Sequence, residues 1–179
     1  MHCRGVFVSP RSHNSGGRGM VAGGALSPLI GALYLMPLDK LMKDLQGSLG
    51  VRYQRYMDDF VIFAPTRHKL RKAIKQMYGV LGNLKVHVHP KKQFIGPTRK
   101  GFDFLGYWLE PDKPLTPSPV SLSRLIERSH QLHEQTADIN RLREYVCRWH
   151  QWHHGGLRGL TARTSSFIWA WQYVTKALR

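Results

Sequence analysis

Asp58 and Asp59 stand side by side in VRYQRYMDDFVIFAP, residues 51–65. The runs on either side read as β-strand, so the two carboxylates fall at the tip of an apolar hairpin. Adjacent carboxylates repel, and burial raises the cost of ionising both. A bound divalent cation removes that conflict. Mg²⁺ prefers oxygen ligands and takes one or two protein carboxylates together with phosphate oxygens. The chemistry this supports is phosphoryl transfer, in which paired ions activate a hydroxyl and stabilise a leaving pyrophosphate. The plainer reading of Asp-Asp is an acidic surface turn. Tyr56-Met57 before it, FVIF after it and the basic chain around it favour the metal reading.

The elements that must hold this tip are legible from periodicity. ALSPLIGALYLMPLDKLMKDL carries Leu29, Ile30, Leu33, Leu41 and Leu45 near helical spacing, with Pro28 in a first turn behind Ser27. Pro37 predicts a kink or a break. FVIFA predicts a buried strand. TRHKLRKAIKQMYGVLGNL predicts an amphipathic helix, with Leu70, Ile74, Met77 and Leu81 on one side and Lys69, Arg71, Lys72 and Lys75 on the other. KVHVHP and DFLGYWLE predict short strands, and PDKPLTPSP reads as a linker. Three helical stripes follow: Leu122, Leu125, Ile126, Ser129 and Leu132; then Leu142, Tyr145, Val146, Trp149 and Trp152; then Phe167, Ile168, Trp171 and Val174. The expected fold class is α+β, an antiparallel sheet with packed helices followed by a helical bundle. The expected organisation is an irregular segment over 1–24, a first domain over 25–110, a linker over 111–119 and a helical domain over 120–179.

The chain has 179 residues, of which 42% are hydrophobic, enough for a packed core. Its 27 Lys and Arg against 11 Asp and Glu give a net charge of +16. A small protein this basic points to a polyanionic partner, nucleic acid above all. Two cysteines, Cys3 and Cys147, form no disulfide framework and suit a reducing compartment. No apolar run approaches the roughly 18 residues of a membrane span, and the N-terminus lacks the apolar centre of a signal peptide. A soluble cytoplasmic protein is expected.

Tyr56-Met57-Asp58-Asp59 resembles the YxDD box of reverse transcriptases, the bacterial group II intron, retron and diversity-generating kinds in particular. GGALSPLIGALYLMPLD, 23–39, resembles the segment that precedes the box. LKVHVHPKK, 84–92, is similar to the palm element that follows it, and GFDFLGYWL, 101–109, resembles the primer-grip hairpin. The basic helical tail looks like a thumb. The resemblance implies a palm portion followed by a thumb, acting as an RNA-directed DNA polymerase. It implies Asp58 and Asp59 as catalytic ligands of Mg²⁺, with Mn²⁺ as a substitute. It puts Gly23, Gly24, Ser27 and Lys92 on the nucleotide and template side. It puts Tyr56, Met57, Phe104, Leu105 and Gly106 on the primer side. The implied partners are an RNA template, a DNA primer or product, dNTPs and an upstream fragment that completes the palm, with no membrane.

Two departures stand out. Val21-Ala22-Gly23 occupies the family's Pro-Gln-Gly positions, and Ala22 has no side-chain amide for nucleotide or template. The family also needs a further aspartate on a strand before the SPL block. Residues 1–38 contain no Asp and no Glu, and the first acid of the chain is Asp39. The resemblance therefore implies a chain without the fingers or the third carboxylate, inactive in isolation. The rival reading is a non-catalytic nucleic-acid-binding remnant.

Other constellations have plainer explanations. In CRWHQWHH, Cys147, His150 and His154 share a helical face at zinc-ligand spacing, but Trp149 and Trp152 mark a helix packed on its neighbours. His87 and His89 alternate on a strand, and read as surface histidines. Trp169 and Trp171, two apart, fall on different helix faces, so one is available for stacking or for a partner.

Overall fold

The computed structural model describes residues 4–10, 25–135, 138–155, 157, 159–162 and 166–178, with the backbone alone for 4–10 and 89–92. They divide into two compact units, 1–100 and 101–179. The expected α+β class is what is found.

The first unit runs β1 (Arg4–Pro10), α1 (Ser27–Tyr34), α2 (Met36–Leu49), β2 (Arg52–Tyr56), β3 (Asp59–Ala64), α3 (Arg67–Asn83) and β4 (Val88–Pro97). Its sheet has the order β2-β3-β1-β4 and is antiparallel throughout. The segment 1–24, expected to be irregular, thus supplies the strand next to β3. Its Gly, Ser and Arg content obscures the short apolar run Val6-Phe7-Val8, which suits a strand.

Pro37 breaks the helix as expected. It has no N–H to give the Leu33 carbonyl, and its ring would crowd that carbonyl. The chain passes through Leu35 and restarts as α2. The break resets the apolar face. Leu38, Met42 and Leu45 of α2 are buried, whereas Leu29, Ile30 and Leu33 of α1 are exposed and α1 buries nothing. The start of α1 also differs from expectation, since Leu26 is the N-cap and its side chain caps nothing. Helix α2 stops at Gly50, whose φ of 64° lets the chain turn left-handed at no steric cost.

Thr66 caps α3 by accepting from the Lys69 amide. Leu70, Ala73, Met77 and Leu81 of α3 meet Phe60, Ile62 and Ala64 of β3 in one core with α2. Burying Phe60, Ile62 and Ala64 on that side turns Asp59, Val61 and Phe63 to the other face of the strand.

The second unit begins with the hairpin β5 (Phe102–Phe104) and β6 (Tyr107–Leu109), extended by β7 (Thr116–Pro117) within the expected linker. Helices α4 (Pro119–Glu134), α5 (Ile139–His154) and α6 (Phe167–Ala177) follow. Ser118 caps α4 through the Ser121 amide, with Pro119 in the first turn, and Ser166 caps α6 through the Trp169 amide. The bundle core is Leu125, Leu132, Leu142, Val146, Ala170 and Val174. Two residues of the expected stripes are exposed, Trp152 and Ile168. Their places are taken by His153 and Ala170. Trp169 and Trp171 are both half-buried and stacked, on Tyr173 and Phe167 respectively.

Candidate active site

Strands β2 and β3 pair from Arg52 opposite Phe63 to Tyr56 opposite Asp59, leaving Met57 and Asp58 as a two-residue turn. Tyr56, Met57 and Asp58 are exposed and Asp59 is partly buried. The tip is therefore open to solvent, while the strand beneath it is anchored by the buried Phe60.

Met57 sits at φ 55°, in the left-handed region that an L side chain occupies at a cost of about 1–2 kcal/mol. Its side chain is largely exposed, so little packing opposes a change there. Met57→Gly is expected to leave thermal stability unchanged or raise it by about 0.5–1 kcal/mol, after allowing for glycine's extra unfolded-state entropy. Met57→Val, β-branched at positive φ, is expected to lower it. Thermal melts of the two variants on either side of wild type check the turn conformation.

Below the tip lies a polar cluster that sequence reasoning did not assemble. Tyr53 and Arg55 alternate on the face of β2 that looks toward α2. The Arg55 guanidinium donates from Nε to Asp39 Oδ1 at 2.8 Å and from Nη2 to Asp39 Oδ2. Its Nη1 donates to the Met57 carbonyl at 2.7 Å. The Tyr53 hydroxyl donates to Asp39 Oδ1 at 2.8 Å. Burial works against ionised Asp39, but the hydrogen bonds from Arg55 and Tyr53 outweigh it and hold the carboxyl below its usual range. Burial first, and then the bond to Asp39, push the Tyr53 hydroxyl far above its ordinary value. Asp39 also sits in the first turn of α2, where the helix dipole favours a negative charge. The only sequence signal was the i, i+2 spacing of Tyr53 and Arg55 before the turn.

The other expected site residues are dispersed. Ser27 opens α1. Lys92 lies on β4, and its side chain is outside what is described. Gly23 and Gly24, and with them the Val21-Ala22-Gly23 departure, lie outside the described residues. Phe104, Leu105 and Gly106 belong to the second unit. There Leu105 at φ 54° and Gly106 at φ 83° form the turn of the β5–β6 hairpin. A Cβ on Gly106 would lie 2.7 Å from the Trp152 ring, and the Tyr107 hydroxyl donates to the His153 carbonyl at 2.8 Å, so this hairpin is seated on the end of α5.

Among the described residues no group of three or more His, Cys, Asp and Glu is placed to hold a metal. The zinc arrangement of Cys147, His150 and His154 therefore does not form. The His154 ring instead contacts the Thr161 hydroxyl at 3.0 Å. Asp58 and Asp59 remain as a pair of oxygen donors, which suits Mg²⁺ completed by water and phosphate oxygens better than a metal that needs a full protein cage. Among the described residues no helix is long and apolar enough to cross a membrane.

Two comparisons bear on these observations. The family model for reverse transcriptase (RNA-dependent DNA polymerase) matches residues 7–109, more than half of the chain. A search of curated proteins found no match.

Proposed function

The chain belongs to the reverse transcriptase family, and on that premise we propose that Asp58 and Asp59 are its catalytic carboxylates, ligands of Mg²⁺ or of Mn²⁺ in its place. The reaction is RNA-templated addition of deoxynucleotides to a primer 3′ end. The observation that carries this reading is the tip itself: two adjacent carboxylates at a two-residue turn, open to solvent, within the family-matched span. The bound ions would supply charge for the attacking hydroxyl and the leaving pyrophosphate. The chain's own part is to present the carboxylates without reorganisation. Tyr56 and Met57, exposed at the turn, would flank the primer end. Lys92 and the segment from Gly23 to Ser27 would lie toward nucleotide and template. Phe104 to Gly106 would hold the primer strand, and the helices of the second unit would act as a thumb. Exposed Arg71, Lys72 and Lys75 on α3 suit phosphate contacts.

A second reading concerns the chain by itself. Strand β1 lies beside β3, and its sequence, like all of residues 1–38, carries no carboxylate. The site as encoded here holds two carboxylates and lacks a third, so the chain alone binds nucleic acid without extending a primer. A further polypeptide segment bearing the missing acid would complete it. The apolar face of α1, Leu29, Ile30 and Leu33, which no described residue covers, is the surface such a segment would bury.

The test is a primed RNA template with dNTPs and Mg²⁺. The purified chain is expected to bind the hybrid, with affinity falling steeply as salt rises, and to give no extended primer. Extension that disappears in Asp58→Ala would overturn the inactivity and establish the carboxylates' role. Failure to bind the hybrid at low salt would remove the nucleic-acid reading altogether.

A further inference from the structure

Of the acids near the turn, Asp39 is the one the metal chemistry leaves without a task, and Arg55 the cation aimed most directly at the turn. Asp39 is fixed on α2, with its amide bonded to the Leu35 carbonyl at 3.2 Å. It takes the Arg55 guanidinium through both oxygens, a planar two-point grip that leaves one nitrogen directed onward. That nitrogen, Nη1, holds the Met57 carbonyl. That carbonyl belongs to the Met57–Asp58 peptide and follows a residue at positive φ, a backbone that two-residue hairpin turns favour but that an L side chain adopts at a steric cost. Fixing its carbonyl fixes where Asp58 begins.

We propose that Arg55, oriented by Asp39 and Tyr53, is a positioning residue that sets the direction of the Asp58–Asp59 turn before any metal binds. The claim rests on the reading of those two residues as metal ligands, yet the geometry can be checked apart from it. The chain of contacts runs from helix α2 through a strand side chain into the turn backbone. The carboxylates are thereby referenced to the core and not merely to their own hairpin. Lysine would keep the charge at position 55 but could not serve Asp39 at two points and Met57 at a third.

The experiment uses the full chain as wild type, Arg55→Gln, Arg55→Lys and Asp39→Asn. Amide hydrogen exchange is read without metal at Tyr56 and Asp59, which close the hairpin, and at Val61 and Ile62 as internal references. In Arg55→Gln the closing amides are expected to exchange about tenfold faster relative to the references, the scale of one charge-assisted hydrogen bond. Asp39→Asn and Arg55→Lys should fall between. A merely structural role would raise exchange along all of β3 alike, and that result, or no change, overturns the proposal. Mn²⁺ titration followed by electron paramagnetic resonance gives the second readout. Affinity should fall in the same order as exchange rises, and an affinity untouched by Arg55→Gln also overturns it. If Mn²⁺ binding survives Asp58→Ala, it is the metal reading that fails, and the exchange data alone decide the role of Arg55.

Discussion

Phe60→Ala is expected to destabilise the first unit by about 3–5 kcal/mol, the usual cost of emptying a large buried aromatic site. Phe60 directly follows Asp59 and is fully buried. Its ring meets Tyr53 at 6.0 Å between centroids, and its backbone lies opposite Arg55 on β2 and Val8 on β1. It therefore ties the strand carrying Asp59 to both neighbours and to the helices behind. Single domains are stable by only about 5–15 kcal/mol, so the loss is a large share. Phe60→Leu keeps most of the volume and should cost much less. Separating the two units is straightforward, because all five tryptophans, Trp108, Trp149, Trp152, Trp169 and Trp171, lie in the second. Urea unfolding by far-UV circular dichroism should show an earlier transition, with the tryptophan fluorescence transition unmoved. A Phe60→Ala shift below about 1 kcal/mol would contradict the packing of β3 on α2 and α3.

The hairpin, the break at Pro37, helix α3 and the three-helix bundle were legible because each rests on local periodicity or on a residue with one backbone meaning. That residues 1–38 hold no Asp and no Glu was visible with no structure at all. What escaped was what only tertiary contact decides. Strand β1 was hidden in a Gly- and Arg-rich segment, since its partners are residues 59–64 and 88–97, far along the chain. Leu29, Ile30 and Leu33 share the helical spacing of Leu41 and Leu45, and spacing cannot report that nothing described covers them. Arg55 and Asp39 meet across 16 positions. In α5 the apolar stripe ran to Trp152, where Leu142, Val146 and Trp149 project onto His153. A histidine in a stripe is easily passed over when a tryptophan stands beside it.

That histidine yields a pH dependence of stability in the acid range. His153 is fully buried, and among the described residues neither ring nitrogen has a hydrogen-bond partner. Burial, then the charges of His154 and His150, push its pKa down from 6.5 to about 4. The ring is therefore neutral in the folded chain at neutral pH. As pH falls below 6.5, the unfolded chain takes up the proton first, so unfolding becomes easier. The stability in question is fully present above pH 6.5, declines toward about pH 4 and levels off below it. The loss is on the order of 3 kcal/mol, read as a falling urea midpoint by tryptophan fluorescence. His153→Leu should flatten that slope. It should also match or exceed wild-type stability at pH 7, because it removes two buried nitrogens without a partner among the described residues. A slope that persists in His153→Leu would move the effect to other groups. Adding Zn²⁺ at pH 7 sharpens the result. Zinc is expected to leave the midpoint unmoved, because among the described residues no three ligands converge, whereas stabilisation by zinc that is lost in Cys147→Ala would restore a metal role to Cys147, His150 and His154.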